Sequence, residues 1–259
     1  MPPAAGFIYA RPRKSDNDMD RRHFLRSLAG TGVVAGTTAT AGCAGVLGDG
    51  DADGSDDASG ERTILGPPEQ SRGDPVHPIR GEEMPEFTIP DPITGGEVST
   101  AQFEGERAFM WTSFYTSCPD GVCPALILRL RRAQELAAEE GLSDEAAFLA
   151  QTFDPERDTA DVLREYAGPR GVDLDAGNWH FLRPESYDAG VELMDENFGL
   201  EIEKVPDEEN RYENLEYTFP HYGLILLVNK RGIVERAYPR GSATEVEQIV
   251  SDFERVVTA

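Results

Sequence analysis

The stretch TSCPDGVCPAL, residues 116–126, places Cys118 and Cys123 five positions apart with a proline after each. Two thiols so spaced suit a short disulfide, a redox couple or a clamp for a soft metal. At roughly 100° per residue, positions five apart on a regular helix point about 140° away from each other. Both sulfurs therefore cannot project from one helical face. Cys118 belongs in a loop that Asp120-Gly121 bends back, and Cys123 at the start of a helix, where Pro124 is tolerated because its missing N–H costs nothing. Free N–H groups and the helix dipole there favour thiolate, the form that attacks disulfides and binds soft metals, whereas Asp120 opposes it. As a plain staple the pair is poor, because so short a loop removes little entropy from the unfolded chain.

A soft-metal site would gain from an imidazole, and the chain has four histidines: His23, His77, His180 and His221. The first two lie outside the patterned part of the chain. His180 alternates with apolar neighbours in NWHFLR and reads as a packed or surface strand residue. His221 precedes an apolar strand in TFPHYG, where a strand-edge surface histidine is the plain interpretation.

Around these residues, strand-like and helix-like patterns alternate. Residues 87–103 form a hairpin turning at Gly95-Gly96. The continuous apolar run 108–116 predicts a strand buried on both faces. A helix follows over 124–141, a buried strand over 146–153, and a helix over 158–168 capped by Thr159 or Asp158. Residues 178–183 are a short strand and 184–198 a helix opened by Pro184. Strands over 222–229 and 233–238 make a hairpin, and a helix over 242–257 is capped by Ser242 or Thr244. The expected fold is α/β, with crossovers long enough for parallel pairing. The cysteine pair lies between the first central strand and its helix, at the carboxyl ends of the strands, where open α/β sheets place their chemistry. The acidic segment 201–217 reads as a solvated loop or, less plainly, a docking surface.

The formal charge is −24, from 48 acidic and 24 basic residues, of which only Lys14, Lys204 and Lys230 are lysines. Such a surface repels nucleic acid and anionic lipid headgroups. Dispersed acidity with almost no lysine is similar to proteins of salt-loving archaea, where ionic strength screens self-repulsion. Near the N-terminus, Arg21-Arg22 precede residues 27–48, which carry no charge and few large apolar side chains. That run is weak for a membrane span. It resembles a twin-arginine export signal ending in a lipoprotein cleavage box at Thr40-Ala41-Gly42-Cys43, with Cys43 lipid-modified. Met19 is the expected true start. Residues 1–43 are thus an export signal, 44–75 a Gly/Asp/Ser tether and 76–259 the folded domain. The domain is expected outside the cytoplasm, anchored to the outer face of the cytoplasmic membrane.

CPDGVCP, then TFDPERDT at 152–159, then NWHFL, then a histidine ahead of LILLVNKRGIVERAY, together resemble the Sco/SenC family over about 170 residues. The resemblance implies a thioredoxin-like fold, a central mixed sheet flanked by helices, here with an N-terminal β-hairpin extension. It implies copper binding through Cys118, Cys123 and His221, and assistance in assembling the copper site of cytochrome c oxidase. The partner would be the copper-bearing oxidase subunit or another copper carrier. The alternative is a thiol–disulfide oxidoreductase that keeps partner cysteines reduced, Cys118 attacking, Cys123 resolving, and the two joining as the Cys118–Cys123 disulfide. Asp154 is expected beside the ligands, orienting the thiolate loop or His221. Its other reading is a turn at Asp154-Pro155, followed by a helix cap at Asp158-Thr159. One departure stands out: the family usually has three residues between its cysteines and this chain has four, Gly121 being the extra. Pro220 is a candidate for the cis-proline that thioredoxin-like redox proteins set opposite their cysteines. No serine elbow, phosphate-cradling glycine loop or zinc-type histidine cluster supports hydrolytic chemistry.

Overall fold

The computed structural model describes residues 62–69, 73, 75–207, 212, 215–220 and 222–259. The chain divides into two units, 1–51 and 52–259, and every described residue lies in the second. The export signal, Met19 and Cys43 are outside the described residues.

The hairpin forms where the glycine pair predicts it, as β1 (Thr88–Asp91) and β2 (Gly96–Ser99). Two seven-residue runs without charged side chains become β3 (Ala108–Phe114) and β4 (Ala146–Thr152), buried along their whole length. They pair in parallel, Phe114 opposite Thr152. Between them runs α1 (Val122–Glu139), and after β4 comes α2 (Ala160–Ala167). The Thr159 side chain caps α2 by accepting from the Val162 N–H at 3.4 Å. There follow β5 (Trp179–Leu182), α3 (Tyr187–Phe198), the two-residue strands β6 (Val205–Pro206) and β7 (Tyr217–Thr218), β8 (Ile225–Val228), β9 (Val234–Tyr238) and α4 (Val246–Val257).

Strands β5-β4-β3-β8-β9 make one mixed five-stranded sheet, with β5, β4 and β3 parallel and β8 and β9 antiparallel. Alternation along the strands sends successive side chains to opposite faces. On one face Phe148 meets Phe253 of α4 and Phe114 meets Tyr166 of α2. On the other Trp111 stacks on Phe198 of α3 at 4.1 Å and donates to Gln151. This is the thioredoxin-like arrangement, helices on both faces of a mixed sheet, with the hairpin added in front.

Three expectations need correcting. Helix α4 starts at Val246, after a 3-10 turn over Gly241–Ala243, and neither Ser242 nor Thr244 caps it. The tether expected over 44–75 does not stay solvated at its end. Leu65 joins the core, and the buried Glu235 carboxylate accepts from the Ile64 and Leu65 N–H groups at 2.8–3.0 Å. Third, the acidic stretch 201–217 carries all but the last residue of the β6–β7 ribbon, and its Ile202 and Asp207 are buried, so it is more than a solvated loop.

Candidate metal centre

β3 ends at Phe114, and the chain then passes through Tyr115 and Thr116 to Cys118. The turn back is made at Gly121, whose φ of +80° lies in the left-handed region that glycine adopts without steric cost. A side chain added at Gly121 would meet nothing within 4 Å, so backbone conformation alone requires glycine here. The apparent extra residue thus serves as the hinge that starts α1. Asp120 Oδ1 accepts from the Val122 N–H at 3.0 Å, tying the loop to the helix start.

Cys118 stays in the loop, half-buried, and Cys123 falls in the first turn of α1, fully buried. The structure records both as thiols and not as a disulfide. Their sulfurs converge. The Cys118 Sγ accepts from the Cys123 N–H at 3.4 Å, and the two side chains are hydrogen-bonded to each other. The Cys118 thiol donates to Asp120 Oδ1 at 2.9 Å, while the Cys123 Sγ accepts from the Tyr115 N–H at 3.4 Å. The helix start favours thiolate at Cys123 and Asp120 opposes it; burial decides the balance and pushes this thiol up, reinforced by the neighbouring Cys118. The Tyr115 N–H works in the other direction and does not offset the loss of solvent.

Beneath this loop lies Asp158, one of the two residues expected to cap α2. Asp158 is fully buried, and its carboxylate accepts from the Thr116 N–H at 3.1 and 3.3 Å, from the Thr116 hydroxyl, and from the Thr152 hydroxyl at 2.5 Å. Burial raises its pKa to about 6 against the pull of these donors, and Asp154 adds to the rise. Asp154 pairs with Arg157 and accepts from the Tyr217 hydroxyl at 3.0 Å. The Arg157 guanidinium and the Lys204 ammonium each sit 3.8 Å from the Tyr217 ring centre, on the segment that leads to His221. Of the two residues expected to cap α2, Thr159 is the one that does.

His221 itself lies outside the described residues. The peptide bond into its neighbour Pro220 is trans, since no cis bond occurs among the described residues, so Pro220 is not the cis-proline considered above. His180 is a packed strand residue, its Nδ1 3.1 Å from the buried Asp91 carboxylate. Among the described residues no three His, Cys, Asp or Glu side chains form a cluster able to hold a metal. What the described residues supply is a pair of converging sulfurs at the carboxyl edge of the parallel strands, a donor set that suits a soft, thiophilic cation. No described helix is long and apolar enough to cross a membrane.

A family model described as SCO1/SenC matches residues 80–258. The chain belongs to the SCO1/SenC family. Among solved structures it is similar to BsSco, in a study of a disulfide switch in that member of the Sco family of cytochrome c oxidase assembly proteins. There the identity is 23%, the TM-score 0.53, and the match covers 73% of this chain and 99% of that one. It is also similar to Bradyrhizobium japonicum ScoI with copper bound, at 22% identity and TM-score 0.50 over 68% and 99% of the two chains. A SCO1/SenC family lipoprotein from Bacillus anthracis matches at 22% identity and TM-score 0.51, over 67% of this chain and 94% of that one. At these identities the likeness concerns the fold. No curated protein matches the chain. The matched range spans the cysteine loop, TFDPERDT and position 221.

Proposed function

We propose that this protein is a membrane-tethered, extracytoplasmic copper metallochaperone that assists assembly of the copper site of cytochrome c oxidase. Cys118, Cys123 and His221 hold the ion, and lipid-modified Cys43 holds the protein at the outer face of the membrane. The observation that carries the reading is the convergence of the two sulfurs in a chain of the SCO1/SenC family. Cuprous ion, as cargo, favours soft sulfur, and an imidazole from His221 would complete a three-ligand site. Its relative in Bradyrhizobium japonicum was solved with copper bound, and BsSco belongs to the oxidase assembly proteins. The partner is then the copper-bearing oxidase subunit or another carrier that exchanges the ion by sharing ligands.

A second reading, thiol–disulfide exchange that keeps a partner's cysteines reduced, is favoured by one asymmetry. Cys118 is half-exposed and Cys123 is not exposed at all, the disposition of an attacking and a resolving thiol. The Cys118–Cys123 disulfide would be its oxidised form.

The test is a cuprous-ion titration of the reduced full chain in high salt, beside Cys118→Ser and His221→Ala. One-to-one binding that weakens in both variants supports the metallochaperone. Binding that His221→Ala leaves intact, or no tight binding at all, sinks it and leaves the redox reading.

A further inference from the structure

The carboxylate of Asp158 is placed where neither reading of the cysteine pair uses it. It comes from the turn between β4 and α2, is fully buried, and takes its hydrogen bonds from Thr116 and Thr152. Its donors belong to two different chain segments. Thr152 is the last residue of β4, and Thr116 follows the end of the neighbouring β3. Both the N–H and the hydroxyl of Thr116 point at it, so this one residue is held by two groups. Thr116 is two residues from Cys118, and the next backbone N–H upstream, that of Tyr115, is the one that reaches the Cys123 sulfur. The point where the chain leaves the sheet for the thiol loop is therefore fixed by a side chain from another turn.

Helix capping does not explain this carboxylate, because Thr159 caps α2 with its own hydroxyl. Nor is Asp158 matched by a cation among the described residues, the usual way to keep a buried acid. Arg157 next to it turns instead to Asp154. A buried carboxylate whose pKa burial raises is a poor choice for stability alone. Its geometry serves the placement of Thr116.

We propose that Asp158 is a positioning residue for the cysteine pair: through Thr116 it sets where Cys118 sits relative to Cys123. The inference rests on the cysteine pair of the proposed function and holds for either of its readings. Asp154 accepts instead from the Tyr217 hydroxyl, so the two buried acids of TFDPERDT hold different segments.

The test reads the dithiol–disulfide equilibrium of the full chain against glutathione in high salt. In that exchange both thiols lose a proton and an electron each and join as one S–S bond. The S–S bond of oxidised glutathione breaks and takes up both protons and both electrons as two thiols. Loosening Thr116 lets Cys118 drift from Cys123 and disfavours ring closure. Asp158→Ala is expected to shift the equilibrium about tenfold or more towards the dithiol, about 30 mV for this two-electron couple. Asp158→Asn keeps the shape and an acceptor for the Thr116 N–H, and should stay within about threefold of wild type. Asn178→Ala removes a buried, hydrogen-bonded side chain at the opposite end of the sheet and should not move the equilibrium. If Asp158→Ala does not fold, Thr116→Val serves in its place and should shift the equilibrium in the same direction.

An unshifted Asp158→Ala, or Thr116→Val where it is needed, overturns the proposal. So does an equal shift in Asn178→Ala, which would mean lost stability and not lost positioning. Cuprous-ion titrations of the same proteins separate this from the proposed function. A wild type that binds no copper while Asp158→Ala still shifts the equilibrium removes the metallochaperone and leaves the positioning role standing.

Discussion

Asp158→Asn offers a measurement of what the buried acid costs the fold. Four donor–acceptor contacts favour its charged form, and complete burial disfavours it. Burial wins, lifting the pKa from 3.8 to about 6. A raised folded-state pKa means that the native protein holds this proton more tightly than the unfolded chain does. The resulting stability is fully present below pH 3.8 and is lost as pH rises through about 6. At about 1.4 kcal/mol per pH unit, the difference comes to roughly 3 kcal/mol, of which about 2 falls between pH 4 and pH 8. Asparagine fills the same space and does not titrate. Urea unfolding of both proteins, reduced and in high salt, at half-unit steps over that range isolates the effect. The groups common to both proteins contribute to each alike and largely cancel in the difference. The stability of wild type minus that of Asp158→Asn should fall steadily with pH. A flat difference would refute the reasoning by showing that hydrogen bonds and burial balance. A rising one would show that the Thr116 and Thr152 donors prevail and that the carboxylate is a net stabilising ion.

Three further expectations follow from the same contacts. Glu235→Ala leaves the Ile64 and Leu65 N–H groups without their buried acceptor, so stability should drop by about 2–3 kcal/mol; trypsin should cut after Arg62 much faster than in wild type, and equal cleavage would mean that Leu65 alone holds the segment. Gly121→Ala meets open space but a φ of +80°, so any loss of stability comes from the backbone alone and should be about 1–2 kcal/mol by denaturant unfolding. Iodoacetamide at pH 8 should label Cys118 and spare Cys123 in the folded, reduced protein, because burial both covers Cys123 and pushes its thiol up. Peptide mass mapping shows the ratio, and equal labelling of the two would contradict the burial.

The parts of the fold that periodicity and composition determine were readable in advance. AFMWTSF and AAFLAQT carry no charge because both faces of β3 and β4 are covered, and that pattern needs no tertiary knowledge. The glycine pair in the β1–β2 turn and the cysteine geometry were equally local, since five helical positions cannot share a face. What escaped was decided by contacts far apart in sequence. Nothing in the Gly/Asp/Ser composition around residues 51–60 signals that Leu65, a few positions on, enters the core through a carboxylate 170 residues away. The pKa of Cys123 turned on burial against its helix-start position, and only packing decides how much solvent remains.

TFDPERDT shows the same limit at the site. Its two aspartates looked alike in the sequence, one a turn or ligand-orienting residue and the other a candidate cap. Chain direction could not tell which would face the thiol loop. The register Phe114 opposite Thr152 decides it, because it brings the exits of β3 and β4 side by side. The turn after β4 then carries Asp158 under Thr116, while Asp154 is left to face Tyr217. A motif without a ligand can thus be specific to the site, since its spacing is set by two neighbouring segments that must each be held. On that argument, exchanging the two acids' partners is more disruptive than removing either, because each carboxylate is shaped to donors on only one side.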